Sequence, residues 1–132
     1  MVPAKNDVQI VERACDSLCL HARSIAARLK TEMRDIASGT GDLNRLASLC
    51  CNLSQLDAVV RKAIQLGASS APQQLVELSM LIEESIGPVT DYAIREMETE
   101  AWMPRPLAAD ATVRIEKLLA FTAGAGAEVD VG

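Results

Sequence analysis

The sequence predicts an all-α protein: an antiparallel helical hairpin extended into an elongated three- to four-helix bundle. Three observations carry that prediction. An apolar stripe with the heptad spacing of a coiled coil runs from Val8 to Ile36 through Val11, Cys15, Leu18, Ala22, Ile25 and Leu29, interrupted only at Glu32. The chain is 49% hydrophobic yet holds only three aromatics, Trp102, Tyr92 and Phe121, so its core must be aliphatic, as in packed helices rather than a sheet. Helix-stopping signals then divide the 132 residues into four segments.

The first helix is expected over about Asp7 to Ala37. Its stripe keeps one face apolar along roughly 45 Å, at about 1.5 Å per residue. Ser38-Gly39-Thr40-Gly41 stops it, glycine supplying the left-handed conformation that ends helices. Asp42 caps the second helix, whose inward stripe is Leu43, Leu46, Cys50, Leu53, Val60 and Ile64, flanked by Leu49 and Leu56. So short a connection forces an antiparallel hairpin, in which facing residues sum to roughly 80. Cys19, Ala26 and Met33 broaden the stripe of the first helix and form its candidate seam with a third helix or with a second copy of the chain.

Gly67 ends the second helix. Ser70-Ala71-Pro72-Gln73 reads as a capping box, with Ser70 as cap, Pro72 in the first turn and Gln73 three residues on. The third helix carries Leu75, Leu78, Ile82, Ile86, Val89, Ala93 and Met97, and is expected to be kinked or broken at Gly87-Pro88, where proline lacks an amide hydrogen. Met103-Pro104-Arg105-Pro106 closes it. A shorter helix follows over about Ala109 to Thr122, with Val113, Ile115, Leu118, Leu119 and Phe121 available for burial. Residues 1–123 are therefore expected to form a single helical-bundle domain, and 124–132 a flexible C-terminal tail.

Charge is unevenly placed. The net charge is −5, but residues 1–66 carry nine Lys/Arg against seven Asp/Glu, and residues 67–132 four against eleven. Either the two halves attract each other, or the acidic half meets a basic partner. Direct nucleic-acid binding is disfavoured, since no dense basic patch interleaved with aromatics is present. No apolar stretch approaches the ~20 residues of a membrane span, and charges interrupt the start of the chain. A cytoplasmic protein without membrane association is expected.

No pattern calls for a cofactor, a metal or an enzymatic activity. Cys15, Cys19, Cys50 and Cys51 tempt a metal or redox reading. The hairpin places Cys50 opposite about residue 30, however, which is ~16–22 Å along the axis from the other pair, far beyond disulfide or zinc-ligand reach. Buried small residues are the expected role. Glu83-Glu84 reads as a solvated face.

The candidate partner-binding residues are Trp102, Met103 and Arg105, which a proline-bounded segment presents, and the acidic run of Glu96, Glu98 and Glu100. Trp, Met and Arg are enriched at interface hot spots. The competing role for Trp102 is to plug the end of the bundle.

His21 is the lone histidine. In size, helical class and that single His, the chain resembles the histidine phosphotransfer proteins, four-helix bundles carrying one phosphorylated His. It departs from their motif, because His21 is followed by Ala22-Arg23-Ser24-Ile25 rather than by small residues and Lys-Gly.

The expected function is a non-enzymatic protein–protein interaction protein: an adaptor, an assembly component or a small inhibitor or regulator of a larger complex. A partner with a basic surface fits the acidic half, and a homodimer is the favoured oligomer. The alternative is a helical signalling domain, working by phosphotransfer or by small-ligand sensing near the Gly87-Pro88 kink, where Ser79, Ser85 and Ala93 are small. A cysteine-based metal or redox protein ranks third.

Overall fold

Gly39 takes a φ of 85°, and the turn around it sets the hairpin that organises the molecule. The computed structural model describes residues 5–67, 71–99 and 105–123, with side chains over 13–67, 71–96 and 109–123. These residues form four helices: α1 (Lys5–Ala37), α2 (Leu43–Gly67), α3 (Gln73–Thr99) and α4 (Arg105–Thr122). The helices pack in cyclic order, each against its neighbours in sequence and α4 against α1, while α1 and α3 meet little across the diagonal. The bundle has four helices, the upper end of the expected range.

The end of α1 is a Schellman motif. The Thr40 amide donates to Asp35 O at 2.8 Å and the Gly39 amide to Ile36 O at 3.0 Å. Gly41 is required for a different reason: a Cβ there would fall on the backbone and side chain of Ile36. Asp42 caps α2 as the sequence predicts, its Oδ1 accepting the Asn44 amide at 2.9 Å.

Two boundaries differ from expectation. The Pro72 carbonyl accepts the Val76 amide at 3.3 Å, which makes Pro72 the cap residue and Gln73 the first helical residue, not the third position of a box begun at Ser70. Ser70 itself lies outside the described residues. Helix α4 begins at Arg105 rather than about Ala109, because Pro106 falls in the first turn, where a missing amide hydrogen has no partner to lose. Helix α3 runs unbroken through Pro88, so of the two expected outcomes the break does not occur.

The core is one aliphatic cluster to which every helix contributes. Leu29 from α1, Leu46, Leu53 and Val60 from α2, Leu75, Leu78, Ile82 and Val89 from α3, and Ile115 and Leu118 from α4 are almost fully buried. Val113 was expected inside but is 51% exposed, two residues off the Ala111–Ile115–Leu118 face that α4 buries. The small residues Ser79, Ser85 and Ala93 are buried as well, and the Ser85 hydroxyl lies 3.5 Å from Arg114 O of α4. They permit close helix packing.

The halves of opposite charge are bridged within the chain. Lys30 pairs with Glu116 at 2.9 Å across α1 and α4, and Arg61 joins Glu83 of α3 to Asp57 of its own helix. Exposed pairs of this kind each contribute at most about 1 kcal/mol, so they set register more than stability.

Candidate functional site

Four surface features come from the way these helices end and pair. The first is polar and lies between α1 and α2. A groove of about 540 Å³ is lined by His21, Ser24, Arg28, Asn52, Gln55 and Val59, among others. Arg28 and Asn52 also line its continuation toward Arg45 and Ser48. Their pairing obeys the predicted sum of 80. His21 is exposed on this groove.

That register also settles where the cysteines lie. All four are free thiols. Cys15 and Cys19 are buried near the start of α3, where the Cys15 thiol donates to Gln74 Oε1 at 3.8 Å and Gln74 Nε2 donates to Cys19 Sγ at 3.7 Å. Cys50 sits at the other end, 4.0 Å from Val89 O. The reason Gln74 reaches α1 is the length of α4. Thr122 lies six residues past Glu116, level with about Ser24 of the antiparallel α1, so Cys19 falls beyond the end of α4. There the diagonal pair α1 and α3 touch. Burial raises the Cys19 thiol to about 12 and the Cys50 thiol to about 11, and each stays protonated and unreactive at neutral pH. Nothing in the residue pattern around Gln74 points to this contact.

The second feature is apolar and acidic, between α3 and α4. Met80, 55% exposed, sits with the half-buried Leu81 and Phe121 in a groove of about 230 Å³, flanked by Glu77 and Glu84. Glu84 is also engaged by Arg114 at 3.4 Å. Sequence reasoning assigned Phe121 to the core and passed over Met80, although Met80 lies off the Leu75–Leu78–Ile82 stripe. The third feature is a pocket of about 340 Å³ between α1 and α4, lined by Lys30, Met33, Arg34, Ala37, Tyr92 and Ile115 together with two threonines. The fourth is a pair of exposed apolar residues on α2, Val59 and Leu66, seven apart and so on one face.

Of the candidate partner residues, Glu96 is half-buried near the end of α3. Glu98 and Arg105 belong to α3 and α4, but their side chains lie outside the described residues, as do Trp102, Met103 and Glu100 altogether. The seam candidates Cys19, Ala26 and Met33 are buried within the chain at 0%, 0% and 7% exposure. They face the chain's own core, so a contact between copies needs another face.

Among the described residues, no group of three or more His, Cys, Asp or Glu is placed to hold a metal ion, and no helix is long and apolar enough to cross a membrane. No family model, curated protein or solved structure matches the chain.

Proposed function

We propose that this protein is a non-enzymatic interaction protein, an adaptor, assembly component or small inhibitor that docks a basic partner on the outer face of α3 and α4. The Met80–Leu81–Phe121 groove with its glutamate flanks is the observation that carries this reading. Met and Phe are enriched at the cores of protein interfaces, and such anchors work at the centre of a desolvated patch. Glu77 and Glu84 favour a lysine- or arginine-rich helix and steer its approach. The same two helices carry Glu96, Glu98 and Arg105, the other acidic and basic candidates of the sequence.

A homodimer accompanies this reading. With Cys19, Ala26 and Met33 internal, we assign its contact to Val59 and Leu66, two exposed apolar side chains on one face of α2. A capture experiment from native lysate tests docking. The wild-type chain should retain a stoichiometric partner that high salt releases, and Met80→Asp combined with Glu77→Lys should lose it.

Phosphotransfer is the second reading, supported by the exposure of His21 beside Arg28 in the α1–α2 groove. Phosphate incorporation abolished by His21→Gln supports it. Incorporation that survives that change removes it.

A further inference from the structure

We propose that the pocket between α1 and α4 binds a small amphiphilic carboxylate, its apolar body against Met33, Ala37, Tyr92 and Ile115 and its anionic head at Arg34. Pockets between bundle helices are common ligand sites, and about 340 Å³ lies within their usual size range.

The lining is divided by chemistry. Met33, Tyr92 and Ile115 are buried at 7%, 3% and 1% exposure and belong to the core cluster, so they are fixed before any ligand arrives. Lys30 and Arg34, one turn apart on α1, stand at its edge. They are not equivalent. The Lys30 ammonium is 2.9 Å from Glu116, which neutralises it. The Arg34 side chain is 75% exposed and, among the described residues, its one ion pair is with its sequence neighbour Asp35, at a loose 3.8 Å. Arg34 is thus the cation with charge to spare, and its planar fork suits a carboxylate.

Tyr92 adds a second polar handle. It lines the pocket and is 3% exposed, its phenol being the polar end of a largely buried ring. Burial, and next the charge of Glu96, raise the phenol to about 12, which keeps it a neutral donor. A carboxylate oxygen of the ligand is a charge-assisted acceptor for that O–H. The location also revises the ligand-sensing alternative. The opening lies one turn beyond Pro88 and against α1, not among Ser79, Ser85 and Ala93, which are packed.

The test uses the full chain and three sub-micellar probes with the same ten-carbon tail: decanoate, decanol and decyltrimethylammonium. Calorimetric titration should show decanoate binding one to one and raising the melting temperature with concentration. The cationic probe should bind about tenfold more weakly or less, and Arg34→Glu should weaken decanoate about tenfold. Ala37→Trp, at an exposed edge of the pocket, should block decanoate while preserving the helical circular dichroism. Equal binding of all three probes would overturn the proposal, as would decanoate binding untouched by both substitutions or absent altogether. Binding that appears only in Trp102→Ala would assign the pocket to the chain's own indole, and would equally overturn it.

Discussion

Glu32 Oε1 accepts the backbone amide of Asp42 at 2.6 Å, tying the last turns of α1 to the cap of α2. Glu32 is 4% exposed, and its other oxygen lies 3.7 Å from Arg45. A buried carboxylate on an apolar stripe is costly unless it is hydrogen-bonded and paired. The start of α2 provides both, because the amides there lack helical partners and the helix dipole favours an anion. The apparent flaw in the heptads is the residue that locks the hairpin.

Glu32→Ala should therefore lower stability by about 1–3 kcal/mol, the cost of removing a partner from a part-buried donor. Glu32→Gln should cost less, since an amide oxygen still accepts from Asp42. Urea denaturation of the two variants checks the order.

Core and surface should separate cleanly. Leu29→Ala or Leu78→Ala removes a fully buried side chain and should cost about 2–5 kcal/mol. Val113→Ser, at an exposed position of α4, should stay within about 0.5 kcal/mol. Thermal denaturation distinguishes them.

Stability should fall in alkali. Cys19 and Cys50 rise from an ordinary 9.0 to about 12 and about 11, and Tyr92 from 10.0 to about 12, chiefly because burial disfavours their charged forms. The folded chain then holds more protons than the unfolded chain above pH 9. The contribution is complete below pH 9 and is lost as pH rises through 11 to 12. Denaturation midpoints measured from pH 8 to 11 should decline, less steeply in Cys50→Ala. At pH 8 a thiol reagent should label the exposed Cys51 in the native protein and the other three cysteines only after unfolding.

Light scattering at micromolar concentration should report a dimer for the native chain and a monomer for Val59→Asp with Leu66→Asp. Both side chains are exposed, so the double variant should keep its helices.

The architecture was largely legible in the sequence because its signals are local. The stop at Gly39, the Asp42 cap and the hairpin register each follow from a few adjacent residues, and the structure reproduces them. That register kept Cys50 from Cys15 and Cys19. The sites were less legible because they depend on where helices end relative to one another. Gln74 reaches the α1 thiols only because α4 stops short, and Phe121 meets Met80 only through the α3–α4 register. Glu32 could have been recognised, since an acidic side chain one turn before a helix stop faces the next helix's free amides. Val113 is exposed because α4 buries a narrow face, Ala111, Ile115, Leu118 and Thr122, and Val113 lies off it.

The capture experiment bears most directly on the interaction reading when wild type is compared with Met80→Asp/Glu77→Lys at low and high salt. A stoichiometric partner held by the wild-type chain, released by salt and lost by the double variant is the predicted result. A wild-type chain that retains no stoichiometric partner and stays strictly monomeric would contradict it, as would a partner held equally by the double variant.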